Sequence, residues 1–130
     1  MPILNVKTSA PRSAATSQKI AALVVDHSDQ ILRKDRALTA IAIEYVDPAD
    51  WIIAGKSLAD WGQHGIFLDI RITDETNTKA EKARYIKAAF ESFESLLGPL
   101  HEESYIHVHH VRASSHGYGG KSQEYRYQHA

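Results

Sequence analysis

Apolar positions recur along the chain with two different spacings, which predict four strands and two helices. Short runs of branched apolar residues alternate with polar ones, as in half-buried strands. The clearest run places Phe67, Asp69 and Arg71 on one face, with isoleucines and leucine on the other. Longer stretches carry apolar residues at helical spacing, and Gly98-Pro99 ends the second of them. The predicted strands are 2–8, 38–46, 66–72 and 104–111, and the predicted helices are 16–33 and 78–97.

The pattern occurs twice, at a constant offset of 65 residues. Residues 41–46 align without a gap with residues 106–111. The same offset places Gly55-Lys56-Ser57 over Gly120-Lys121-Ser122. Few identities survive elsewhere, but the apolar positions continue to match on both sides of these segments. We interpret the chain as a duplicated unit.

Each unit has the order strand, helix, strand, which is typical of a β-α-β unit with parallel strands and a right-handed crossover. Two such units predict an α+β fold in which a four-stranded mixed sheet carries both helices on one face. We expect one domain over 1–130, made of units at about 2–60 and 66–125. The other sheet face, with its mixed side chains, then requires a second subunit to cover it.

The composition narrows the functional classes. Hydrophobic residues make up 43% and charged residues 24%, and the formal net charge is -1. Neither a basic patch nor a long apolar run is present, so we expect no nucleic-acid partner and no membrane association. The chain has no cysteine, which excludes disulfides and thiolate chemistry. Together with the lack of a signal-peptide core, this predicts a cytoplasmic protein.

Four features of the sequence resemble one known family. Pro2 follows the initiator methionine, Arg12 stands ten residues later, and Trp51 precedes Ala54-Gly55-Lys56. On a duplicated β-α-β unit, this pattern resembles the double-length members of the tautomerase superfamily. Those members are the fused 4-oxalocrotonate tautomerases and the relatives of cis-3-chloroacrylic acid dehalogenase and malonate semialdehyde decarboxylase. The resemblance spans essentially the whole chain and implies a homotrimer.

The resemblance implies that Pro2 is a catalytic base. Removal of Met1 would leave a secondary amine at Pro2, and α-amino groups titrate near pH 8 in model peptides. Apolar burial and a nearby cation such as Arg12 would both disfavour its protonated form. A neutral amine can move a proton on carbon next to a carbonyl without a metal or an organic cofactor. Arg12 would bind a substrate carboxylate or the enolate oxygen, and Trp51 would supply an apolar wall.

The sequence departs from the family on the strand beside the proline. Ala40 stands where 4-oxalocrotonate tautomerase has a second arginine. The carbonyl-polarising group is therefore lost or replaced. The candidates for its replacement, and for substrate binding, are Tyr105, His107, His109, Arg71 and Arg112.

The predicted activity is proton transfer on a small 2-oxo or enol carboxylate, without a cofactor. An alternative is water addition to an unsaturated or halogenated acid, with His109 or Glu44 orienting the water. A second alternative is a non-catalytic trimeric module that binds a ligand. We expect one site per chain, because the offset of 65 places Phe67, in mid-chain, at the position equivalent to Pro2.

Two other features favour structural roles. Alternation puts His107 and His109 on one strand face, about 7 Å apart, with His110 opposite. No third ligand has recognisable spacing, so we expect no metal site. The glycines at 117, 119 and 120 precede Lys121 but are followed by no convincing helix pattern, so we interpret them as a closing loop or C-terminal arm rather than a phosphate loop.

Overall fold

The computed structural model describes residues 2–130. The elements are β1 (Ile3–Thr8), α1 (Ala14–Gln30), β2 (Ala40–Tyr45), β3 (Ile52–Ile53), β4 (Lys56–Ser57), α2 (Leu58–Trp61), β5 (Ile66–Thr73), α3 (Lys79–Leu97), β6 (Tyr105–Val111), β7 (Gly117–Tyr118), β8 (Lys121–Ser122) and α4 (Gln123–Gln128). Short 3-10 helices precede β2 at Arg36–Leu38 and β3 at Pro48–Asp50. None of the helices in this range is long and apolar enough to cross a membrane.

The main sheet confirms the predicted α+β fold. Its four strands lie in the order β2-β1-β5-β6. Strands β1 and β2 pair in parallel, as do β5 and β6, while β1 and β5 pair antiparallel between the two units. The two long helices contact each other on one face of this sheet. The architecture is therefore two β-α-β units side by side.

Local signals place the ends of the long helices. The Ser13 hydroxyl accepts from the backbone N–H of Thr16 and begins α1. Thr78 and Glu81 form a capping box at the start of α3, in which each side chain accepts from the other residue's backbone N–H. Gly98, at φ 99°, ends α3. Helix α1 stops before the predicted residue 33, where Arg33 adopts a left-handed φ of 57°.

The core lies between the sheet and the two long helices. Alternate residues of β1 and β5 are fully buried on this side, as are one face of α1 and one of α3. Tyr85 is completely buried on α3, and its hydroxyl lies 3.3 Å from that of Ser28 on α1. Burial raises the pKa of Tyr85 to about 12. The phenol therefore stays neutral at physiological pH and acts as part of the core.

The register of the strands corrects one prediction. Ile3 pairs with Ala40, while Phe67 pairs with Tyr105, which stands 65 residues after Ala40. The offset between β1 and β5, the first strands of the two units, is therefore 64 residues and not 65. Unit two has one additional residue between its first strand and its helix. Ile66, and not Phe67, is consequently the structural equivalent of Pro2, and the expectation for Phe67 is wrong by one position.

A second correction concerns the C-terminal segment. The sequence predicts a loop or arm there, but the segment forms the β7–β8 hairpin followed by the helix α4. The Ser122 hydroxyl caps α4 by accepting from the backbone N–H of Tyr125. The hairpin repeats the arrangement of β3, β4 and α2 at the offset of 65. A six-residue helix is too short to show a clear apolar stripe, which is why the pattern did not predict it.

The face of the sheet opposite the helices is open in the single chain. Each strand presents alternate side chains there, and many of them are exposed. From β2 to β6, the row nearest Pro2 consists of Ala40, Ile3, Arg71 and His109. Mixed polar and apolar side chains therefore cover this face, as the alternation predicted.

Candidate active site

Pro2 lies in the wall of a cavity at the start of β1. The residue is buried, and its carbonyl oxygen accepts a hydrogen bond of 3.1 Å from the backbone N–H of Ala40. The cavity has a volume of about 640 Å³. Its lining residues are Pro2, Ile3, Ala37, Leu38, Thr39, Ala40, Arg71, His116, Gly117 and Tyr118. This volume suits a small-molecule ligand. Removal of Met1 concerns a residue outside the described range and stays a prediction.

Arg71 supplies the positive charge of this cavity. It pairs with Ile3 across the β1–β5 strand pair, and Ile3 directly follows Pro2 in the chain. Its Nε lies 3.7 Å from the carboxylate of Asp69, which also lies 3.3 Å from Nε2 of His109. The Asp69 side chain is only 10% exposed. No carboxylate occurs among the described residues that line the cavity itself. The charges therefore favour an anionic ligand beside Pro2.

The β7–β8 hairpin forms another wall, which places His116 and Tyr118 in the cavity. Nε2 of His116 lies 3.0 Å from the hydroxyl of Thr73, and burial lowers the pKa of His116 below its ordinary value. The imidazole is therefore neutral at pH 7 and has one N–H to donate. The guanidinium of Arg126 stacks 3.8 Å from the Tyr118 ring centroid and donates to the Tyr118 carbonyl, which fixes the hairpin.

Arg12 does not lie near Pro2 within one chain. Pro2 precedes β1 and Arg12 follows it, so the strand alone separates them by roughly 20 Å. Arg12 is exposed and lines a different cavity, of about 530 Å³, with residues that include Tyr45 and His64. If Arg12 acts on a substrate at Pro2, it must come from another protomer.

Trp51 and Tyr105 lie together in a second cavity, away from Pro2. This cavity has a volume of about 610 Å³ and includes Ile66 and Phe67. The Tyr105 hydroxyl donates a 2.6 Å hydrogen bond to Glu103, and that carboxylate raises the pKa of Tyr105. Within one chain, therefore, neither residue contacts the space beside Pro2.

The other candidates are spread over the open sheet face. The His107 ring lies between those of Phe67 and His109, at 5.4 Å from each ring centroid. Arg112 is exposed beyond the end of β6 and does not line the Pro2 cavity. Glu44 lies four residues along β2 from Ala40, and its carboxylate is 3.9 Å from Nζ of Lys7.

His116 and Tyr118 were missed from the sequence. The sequence contains a signal for His116, because the offset of 65 pairs it with Trp51, a candidate site residue. A histidine therefore stands beside Pro2 where a tryptophan stands in the second cavity. The position is the same in the two units, but the residue type differs. A search for a second tryptophan therefore does not find His116.

The fold is similar to those of several solved structures. A fused 4-OT protein, Q0, described as a symmetric trimer, is 19% identical, with 94% of this chain and 96% of that chain covered and a TM-score of 0.80. Pt0534 inactivated by 2-oxo-3-pentynoate is 14% identical, with coverages of 95% and 98% and a TM-score of 0.82. The macrophage migration inhibitory factor-like protein of Entamoeba histolytica is 15% identical, with coverages of 93% and 97% and a TM-score of 0.76.

No protein-family model and no curated protein sequence matches the chain. The structural similarity nevertheless extends over nearly the full length of both molecules in each comparison, and it includes the duplicated β-α-β architecture. The chain has the tautomerase-superfamily fold.

Proposed function

We propose that the protein is a cofactor-independent tautomerase that acts on a small 2-oxo or enol carboxylate, with the Pro2 nitrogen as the base. The observation that carries this proposal is the position of Pro2 in a cavity that Arg71 also lines and whose described lining residues include no aspartate or glutamate. The fold and the 2-oxo-3-pentynoate inactivation of the similarly folded Pt0534 support the same substrate class.

In the proposed reaction, the uncharged Pro2 amine removes a proton from the carbon next to the substrate carbonyl. The electron pair of the broken C–H bond moves to the carbonyl oxygen and forms an enolate. The prolinium then returns its proton to a different atom of the same substrate, so no group is gained or lost. Removal of Met1 is essential here, because an amide nitrogen at Pro2 would not be basic.

Arg71 would bind the substrate carboxylate through charge-assisted hydrogen bonds. Arg71 is one of the five residues that the sequence offers for polarising the carbonyl or binding the substrate, and we propose the binding role for it. The neutral imidazole of His116 would accept from the Thr73 hydroxyl at Nε2 and donate its N–H at Nδ1 to the enolate oxygen, where negative charge develops. His109 would hold Arg71 in place indirectly, because both side chains flank the carboxylate of Asp69.

A spectrophotometric assay separates this function from the two alternatives. Ketonisation of phenylpyruvate enol or of 2-hydroxymuconate, dependent on Pro2, is the expected result. Release of halide from 3-chloroacrylates would instead support water addition. Binding of a 2-oxo acid without turnover of any of these compounds would support a non-catalytic module.

We further propose that the protein is a homotrimer in which Arg12 acts on the site of a neighbouring protomer. The open sheet face and the position of Arg12 at the opposite end of β1 from Pro2 support this assembly. Light scattering should give three times the chain mass of 14.5 kDa. Co-refolding Pro2→Ala with Arg12→Ala chains should restore part of the activity that each variant lacks alone. A monomeric mass, or no restoration, would contradict the proposal.

The β7–β8 hairpin offers a test of the cavity wall. A Cβ atom on Gly117 would lie 2.0 Å from the Lys121 carbonyl oxygen, so Gly117→Ala must open the hairpin and displace His116 and Tyr118. Because a displacement of about 1 Å can cost on the order of 10²-fold in rate, we expect a loss of this size in kcat/KM.

Gly120→Ala is the matched control in the same hairpin. No atom lies within 4 Å of its added Cβ, and only the backbone φ of 77° is unfavourable. We expect this variant to retain most of the activity with a slightly lower unfolding temperature. Wild-type kcat/KM in Gly117→Ala would show that the hairpin does not form part of the site.

A further inference from the structure

The second cavity is the structural counterpart of the Pro2 cavity in the other unit. Ile66 takes the place of Pro2, Phe67 that of Ile3, and Tyr105 that of Ala40. Its full lining is Trp51, Ile52, Ile53, Ala54, Trp61, Ile66, Phe67, His101, Glu102, Glu103 and Tyr105. The duplication has therefore left a space of similar volume in which the base is replaced by a mid-chain isoleucine.

The charge of this second cavity is opposite to that of the Pro2 cavity. Glu102 and Glu103 replace the uncharged Ala37 and Leu38, and no lysine or arginine occurs among the described lining residues. Neither glutamate forms a salt bridge within residues 2–130. The backbone N–H of Glu103 donates to Nδ1 of His101, so that nitrogen is an acceptor and does not supply a compensating proton.

Four aromatic residues line this cavity together with the two glutamates, and they include both tryptophans of the chain. The Trp61 ring is held by a 3.1 Å hydrogen bond from its Nε1 to the Ile53 carbonyl and by an edge contact with His101. The ammonium of Lys56 lies 4.4 Å from the Trp61 ring centroid. One lysine of the chain itself thus already makes a cation–π contact with this ring.

The counterpart of Arg71 does not reverse this charge. By the strand offset of 64 residues it is Lys7, which is not among the lining residues. Its ammonium lies 3.9 Å from the carboxylate of Glu44 and 5.9 Å from the Phe67 ring centroid. The charge of Lys7 is thus opposed by the Glu44 carboxylate outside the cavity. Glu102 and Glu103 form no salt bridge with a lysine or an arginine of residues 2–130.

We propose that this second cavity binds a small organic cation, of the alkylammonium class, independently of the Pro2 cavity. Aromatic faces attract ammonium groups through their quadrupoles, most strongly with tryptophan, and carboxylates add direct attraction. The tryptophans and tyrosine would surround the alkyl groups, while Glu102 and Glu103 would balance the charge. Each chain would then carry two related cavities, one for an anion and one for a cation.

Tryptophan fluorescence tests the proposal directly, because both tryptophans lie in this cavity and none lines the Pro2 cavity. Titration with choline is expected to change the emission in a saturable way. The matched control is 3,3-dimethylbutan-1-ol, which has nearly the same shape as choline but no charge. It should produce no saturable change over the same concentrations.

Two variants complete the test. The double change Glu102→Gln and Glu103→Gln alters exposed side chains, so folding should persist, and it should raise the apparent Kd for choline at least about tenfold. Pro2→Ala should bind choline as the wild type does. Equal responses to choline and its neutral analogue, no saturable response at all, or unchanged choline affinity in the double variant would each overturn the proposal.

Discussion

Pro2→Ala is expected to lower kcat/KM for ketonisation on the order of 10²-fold, within the range of about 10²–10⁴-fold that general base catalysis contributes. Alanine at position 2 still allows removal of Met1 and leaves an amine. The loss in kcat/KM then measures the contribution of the proline ring, which fixes the direction of the nitrogen at the start of β1. Pro2 is buried, and its carbonyl accepts a hydrogen bond from the backbone N–H of Ala40, so the ring is well positioned in the wild type.

A chain with two extra residues before Pro2 provides the complementary variant. It keeps the ring but turns the nitrogen into an amide, which is not basic. Activity should fall further than in Pro2→Ala, to the level of the uncatalysed reaction. Steady-state kinetics on one enol substrate measures both variants. Full activity in the extended chain would rule out Pro2 as the base.

Arg71→Ala is expected to lower kcat/KM by about 10²-fold, because a hydrogen bond between charged groups contributes about 1.5–3 kcal/mol. The loss should be smaller for a substrate that lacks the carboxylate, since Arg71 would then have no anion to bind. Arg71 is 54% exposed and makes only a long contact with Asp69, so the variant should remain folded. Thermal unfolding measured alongside the kinetics checks this.

Two further substitutions sharpen the result for Arg71. Arg71→Lys keeps the charge but loses the planar fork of donors, and we expect intermediate activity. Lys7→Ala removes the structurally equivalent cation of the other unit and should leave ketonisation near the wild-type rate. Equal losses in Arg71→Ala and Lys7→Ala would indicate a general effect of charge on the sheet rather than substrate binding.

The fold could be predicted from the sequence wherever a periodic pattern was long. The strand alternation at Ile66–Thr73 and the helical spacing of apolar residues in α3 are both present as residue patterns, and the elements begin within one or two residues of the predicted positions. The β7–β8 hairpin and α4 were not predicted, because each is too short to show a period. A single additional residue before α3 was also invisible, since an alignment by apolar positions tolerates such a shift.

The site was predicted less completely, because it depends on which ends of the strands meet. Pro2 and Arg71 lie close together because β1 and β5 pair antiparallel, and no spacing of residues in the sequence predicts that pairing. Arg12 was expected beside Pro2, yet in one chain the length of β1 separates them. His116 reaches the cavity only through the unpredicted hairpin. Contacts between distant segments, rather than residue types, account for these differences.

The central claim is that Pro2 carries a free and reactive nitrogen in a cavity for 2-oxo acids. Incubation with 2-oxo-3-pentynoate followed by peptide mass spectrometry tests it most directly. The amine should add to the triple bond, forming a C–N bond while its proton moves to the neighbouring carbon, so the mass rises by that of the whole reagent. We predict one adduct per chain, on a peptide that begins at Pro2, together with loss of ketonisation. A chain that keeps Met1, or modification confined to other residues, would contradict the claim.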